Sequence, residues 1–199
     1  YMDVYEKGIL LATIPAMIWL GWFWRPLAVL MLTVAGFSLM AVGLYQGPEG
    51  GELARSEMVF GLKYFLSSQS AILWMSMVFF ISTIFYWVGM FAKSEQSVMS
   101  LLGSRLAWLA VVLALVGTMV RWYESYLLGA DIGHIPVSNL YEVFVMFCWM
   151  TALFYLYYEE QYQTRSLGAF VMLVVSAAVG FLLWYTVVRE AHEIQPLVP

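Results

Sequence analysis

Polar and apolar positions in this chain are segregated along its length and do not alternate. Mostly apolar runs follow one another six times, at residues 8–24, 26–45, 70–92, 106–127, 139–158 and 167–188, and polar residues collect in the gaps and at the run ends. A helix that is apolar on every side has no face for water. Crossing a hydrocarbon core of about 30 Å takes about 20 residues at a rise of about 1.5 Å each. The pattern therefore predicts an all-α, polytopic membrane helix bundle forming a single membrane domain, with about six transmembrane helices.

The gaps predict the connections. Only Arg25 and Pro26 separate the first two runs, and proline suits the first turn of a helix, where its missing N–H would be unpaired anyway. A tight helical hairpin is expected there. Pro15 falls inside the first run and should kink it. After the turn-forming QGPEGGE, residues 52–69 place Met58, Val59, Leu62, Phe65 and Leu66 at helical spacing opposite Glu57, Lys63 and Ser67. That spacing predicts an amphipathic helix lying along the membrane surface.

Composition strengthens the class and excludes others. Of 199 residues, 63% are hydrophobic, 18% aromatic and only 11% charged, with a mean hydropathy of +0.81. No soluble globular domain has that balance. The net charge is −4, and the nine Lys and Arg are scattered, so no nucleic-acid surface can be assembled. The single cysteine, Cys148, excludes an internal disulfide and a CxxC redox centre; in its apolar run it reads as a small core residue. The chain opens on Tyr1 and closes on the irregular EIQPLVP, and we expect further sequence at both ends.

Charge also predicts orientation. Alternating the six runs puts Arg25, Lys93, Arg105 and Arg165 in short segments on one side, with Glu95, Glu159 and Glu160. Lys7, Arg55, Lys63, Arg121 and Arg189 fall in longer segments on the other. Short basic loops face the cytoplasm, which turns the 129–138 loop outward. Ser176 and Gly180 form a small-xxx-small pair suited to close helix approach. Trp19, Trp22, Trp24, Trp122, Tyr123, Tyr126, Tyr155, Tyr157 and Tyr158 cluster near the expected interfaces as anchors.

Candidate chemistry is concentrated in one place. Arg121 and Glu124 share a helix face at the end of the fourth run, as an edge salt bridge or, if Glu124 leaves Arg121 available, as a grip on a substrate carboxylate. Then comes GADIGHIPVSNLYE. Its glycines permit turns, Pro136 extends Ile135, and Asn139 can cap the fifth run with Glu142 reaching back. His134, Asp131 and Glu142 remain as groups that could bind something at the surface. The other histidine, His192, lies far along the chain, on the same side by this topology, so both together could reach one metal or haem. No HExxH, GxSxG, Walker loop or glycine-rich dinucleotide turn occurs, and no catalytic or metal-binding set can be assigned.

RWYESYLLGADIGHIPVSNLYEVFVMFCW, LGAFVMLVVSAAVGFLLW and REAHEIQPLVP, together with LKYFLSSQSAILWMSMVFFISTIFYWVG upstream, resemble the membrane haem-handling subunit of system II cytochrome c synthases, the CcsA-like branch of the cytochrome c assembly proteins. GHIPVSNLYE is a specific signature within the likeness, which covers nearly the whole chain. The resemblance implies a subunit of the bacterial inner membrane, with the 129–138 loop facing the periplasm. It implies work with a second membrane subunit to carry haem outward and attach its vinyl groups to CxxCH motifs of apocytochrome c. Haem is the cofactor so implied, with His134, Arg121, Glu124, Asn139 and Glu142 as the rim of its region. The chain departs from the family in lacking the tryptophan-rich WWD segment, and neither histidine matches the family's haem ligands. It is therefore expected to be an N-terminal portion that neither holds haem strongly nor attaches it alone.

Two other classes fit the composition. One is a transporter of a hydrophobic small molecule; an ion path is disfavoured because almost no ionisable residue lies deep in any run. The other is a non-catalytic membrane scaffold for a partner subunit.

Overall fold

A computed structural model describes residues 4–48, 50–92, 98–129 and 133–189. Asp131, His192, Lys93 and Glu95, which carried parts of the sequence reading, lie outside the described residues, as do the side chains of Lys7 and Arg189. The fold is an all-α membrane bundle. Its elements are α1 (Val4–Phe23), α2 (Arg25–Tyr45), the paired two-residue strands β1 (Gln46–Gly47) and β2 (Gly50–Gly51), α3 (Arg55–Met58), α4 (Ser68–Phe91), α5 (Val98–Leu128), α6 (Leu140–Tyr162) and α7 (Gly168–Arg189).

Among the described residues, five helices, α2, α4, α5, α6 and α7, are long and apolar enough to cross a membrane, and in α1 the apolar stretch is the shorter Leu11–Phe23. α1 and α2 meet through Trp24, with Pro26 in the first turn of α2. Along α1 the side chains from Leu11 to Leu20 are all exposed, and the helix packs on α2. The core is centred on α4 and α5, the most extensively packed pair, with α7 and α6 closing one side and α2 the other. Met75, Phe79, Val111, Val116, Met172 and Leu182 are fully enclosed there.

α5 begins well before the expected 106, because SLLGSR has small and charged residues that dilute the apolar signal while leaving helix propensity intact. Ser100, Gly103 and Ser104 are buried against α4, where small side chains let the two backbones close up. The 52–69 segment is helical in two short pieces, α3 and a π-helical turn at Leu62–Leu66, before Ser67 caps α4. Leu62 is fully buried, while Met58 and Phe65 from the same predicted apolar face are exposed.

Close approach of α7 to α4 rests on a different pair from the one spacing suggested. Ser176 Oγ lies 2.6 Å from Thr83 Oγ1, which also donates to the Met172 carbonyl at 3.0 Å, whereas nothing stands within 4 Å of a Cβ built on Gly180. The tight glycine is Gly168, where a Cβ would overlap the rings of Tyr86 and the hydroxyl of Tyr155.

Candidate functional site

Four helix ends converge at the side of the bundle that carries the 129–139 segment. α2 ends on Tyr45, α4 begins at Ser68, α5 delivers Arg121, Glu124 and Ser125 in its last turns, and α6 begins behind Asn139. Apolar runs must stop where they leave the hydrocarbon, so polar residues gather at these ends and can satisfy one another there.

Arg121 finds its ion-pair partner across the helix interface. Its Nε lies 2.8 Å from Glu142 Oε1, and both side chains are 2% exposed. The guanidinium carbon also stands 5.0 Å from the centroid of the Tyr141 ring, within cation–π range. The other oxygen of Glu142 accepts from the Ser138 N–H at 2.9 Å and the Ser138 hydroxyl at 3.0 Å. Asn139 caps α6 as predicted, its Oδ1 accepting from the Glu142 N–H at 2.9 Å. The reach-back of Glu142 lands on Ser138, one residue before the cap.

Glu124, expected beside Arg121 on one helix face, has its carboxylate enclosed by other donors. One oxygen accepts from the Tyr45 hydroxyl at 2.5 Å and the Ser68 N–H at 3.0 Å, and the second accepts from the Ser68 hydroxyl. A buried carboxylate is tolerated only when hydrogen-bonded in this way. Glu124 thus ties the start of α4 and the end of α2 to α5.

His134 is buried, and Ser125 fixes its backbone: the His134 N–H donates to Ser125 Oγ at 3.2 Å, and that hydroxyl lies 3.3 Å from the His134 carbonyl. Gly133 makes this possible, since a Cβ there would overlap the Tyr126 ring. Five residues that the sequence singled out, Arg121, Glu124, His134, Asn139 and Glu142, thus stand at one end of the bundle. Tyr45, Ser68, Ser125 and Ser138 escaped the reading. Their one signal was position, as hydroxyls at the first or last turn of an apolar run.

Little room is left between these groups. The void bounded by Thr118, Arg121, Pro136, Tyr141 and Glu142 is about 10 Å³. An open pocket of about 360 Å³ lies beside Arg121 and Glu124, walled largely by Ser67, Ser68, Ser70, Gln69 and Lys63, with no imidazole or thiol in its lining. Among the described residues, no group of three or more His, Cys, Asp or Glu side chains is placed to hold a metal ion. The described residues here do not fit a haem: the smaller void cannot admit a macrocycle, and the larger pocket offers polar walls without an iron ligand. What the arrangement does is lock four helix ends and one loop together.

The chain is 31% identical over 125 residues to a cytochrome c biogenesis protein CcsA from Chlorella vulgaris, covering 62% of this chain and 36% of that protein. A CcsA from Guillardia theta is 29% identical over 120 residues, 60% of this chain and 36% of the relative. One from Trichormus variabilis is 28% identical over 124 residues, 61% of this chain and 32% of the relative. The chain is a relative of the CcsA cytochrome c biogenesis proteins. The CcsA-like chain spans about a third of the length of the curated relatives it matches. No family model matches it, and no solved structure does. Its membrane helices and its relatives together make it an integral membrane protein similar to CcsA.

Proposed function

We propose that this CcsA-like chain serves a system II cytochrome c synthase, taking part in haem delivery to the outer face of a bacterial inner membrane and in covalent attachment of haem to the CxxCH motif of apocytochrome c. The observation that carries the reading is the likeness to CcsA proteins, joined to how this chain anchors the GHIPVSNLYE segment, a specific signature within that likeness. A loop held by a buried ion pair, a cap and a serine clamp presents a fixed rim to whatever packs on it. Residues 8–24 are proposed as a sixth crossing, hairpinned to α2. The 129–138 loop is placed on the periplasmic side by the density of Arg and Lys in the short opposite segments.

In this reading Arg121, Glu124, Asn139 and Glu142 are positioning residues. They hold the rim of the haem region, and the groups that hold haem itself lie outside the described lock. A second membrane subunit and apocytochrome c are the proposed partners. The closed lock also favours a scaffold role for these helices within that assembly.

The test is the absorption spectrum, reduced and oxidised, of the 199-residue chain in mild detergent beside that of a full-length CcsA relative. A Soret band confined to the longer protein is expected. Pigment in the 199-residue chain would move haem binding into this bundle. In the natural protein purified with its partners, His134→Ala should keep the Soret band at normal protein level; its loss would make His134 a haem residue.

A further inference from the structure

A cavity of about 1010 Å³ lies at the opposite end of the bundle, between α2, the start of α5 and the end of α6. Its apolar lining combines the buried Leu30 and Leu156 with the exposed Val29, Leu101 and Leu109. Arg25, Arg105 and Arg165 share that lining, and the exposed Arg25 and Arg105 give the cavity a cationic mouth. The acids at the mouth are already engaged. Glu159 accepts from the Tyr86 hydroxyl at 2.6 Å and from Arg165 Nε at 3.0 Å, and Glu160 accepts from the Trp24 indole at 2.6 Å. Among the described residues, Arg25 and Arg105 pair with no carboxylate.

Two guanidinium groups that pair with no carboxylate among the described residues, set beside an apolar cleft at the helix ends, match one chemistry: an amphiphile with an anionic head and an apolar body. Basic pockets between transmembrane helices take acidic lipid head groups for this reason, and guanidinium binds phosphate oxygens through paired N–H donors. Arg25 also sits in the first turn of α2, whose N-cap Trp24 makes no side-chain capping bond, so the positive end of that helix adds to the field. Trp108 in that lining is backed by Trp24, with ring centroids 5.5 Å apart, and Trp24 in turn lies 5.2 Å from the Tyr157 ring.

We propose that this cleft is a binding site for an acidic phospholipid, its phosphate held by Arg25 and Arg105 and its acyl chains laid along α2 and α5 past Val29, Leu109 and Val112. The site is separate from the lock around Arg121 and holds whether or not the haem reading does, since lipid is present in either leaflet.

The test uses the intact protein, purified with its partners in mild detergent. Bound phosphatidylglycerol is counted by native mass spectrometry after exchange into mixed phosphatidylglycerol and phosphatidylcholine. Wild type should retain phosphatidylglycerol selectively. With each surface cation contributing about a five-fold factor, the double variant Arg25→Gln, Arg105→Gln should retain it about 30-fold more weakly. Arg25→Lys with Arg105→Lys should keep most of the binding, because a phosphate still finds two cations, and this variant separates charge from misfolding. A photoactivatable phosphatidylglycerol should label α2 and α5 near Val29 and Leu109. Equal retention by wild type and the Gln variant, equal retention of the two lipids, or labelling elsewhere overturns the proposal. So does displacement of the lipid by a porphyrin dicarboxylate that quenches Trp24 and Trp108, which would give the cleft to a different acid.

Discussion

Removing one partner of the Arg121–Glu142 pair leaves a charge that water cannot reach, because both side chains are 2% exposed. Leaving such a charge uncompensated costs about 3–5 kcal/mol, more than the pair itself contributes over an apolar substitute. Glu142→Gln is therefore expected to destabilise the folded chain by about 3 kcal/mol, read as the shift in a denaturant unfolding curve in detergent. Arg121→Met with Glu142→Leu together should cost less than Glu142→Gln alone. A double variant as unstable as the sum of its singles would show that the two residues act independently. Spacing along α5 pointed Arg121 toward Glu124, three residues away, because sequence shows neighbours on one helix only. Glu142 is twenty-one residues on, and the crossing of α5 with α6 brings it within reach.

Helix contacts are decided by small residues, and not every small residue is used. Gly168 lies against Tyr86 and Tyr155, so an added methyl group has no space. Gly168→Ala should cost about 1–3 kcal/mol through forced repacking, and Gly180→Ala, facing open space, should be neutral or slightly stabilising. Thermal unfolding of the two variants in one detergent checks the pair, and equal losses would refute the distinction. The same reasoning explains why α5 outran its apolar signal: Gly103 and Ser104 weaken hydropathy while permitting contact with α4. It also separates the aromatics. Trp19 and Trp22 are exposed, whereas Trp24 is held by Trp108, Tyr157 and Glu160 behind the cleft lining.

The whole molecule has two chemically distinct ends. One is closed by internal pairing around Arg121, Glu142 and Glu124; the other opens into an arginine-rimmed cleft. The orientation proposed for them makes a direct prediction. Val137 and Ser166 are exposed at opposite ends, and the native Cys148 is buried. In intact cells Val137→Cys should therefore react with a membrane-impermeant maleimide and Ser166→Cys only after lysis. The reverse pattern would invert the bundle and place the GHIPVSNLYE loop in the cytoplasm.

The sequence by itself determined that this is a helical membrane protein, where the long apolar helices fall, and that Asn139 caps α6, because hydrophobic run length and capping are local properties read within a few turns of chain. It also exposed the likeness to CcsA proteins. Only the tertiary structure decided which charge answers which, that Tyr45 and Ser68 enclose Glu124, and that arginines scattered over 140 residues line one cleft. Those outcomes depend on how helices cross. Between helices apolar on every side, the crossing is fixed by side-chain packing and polar contacts across the interface, which no pattern along a single chain records.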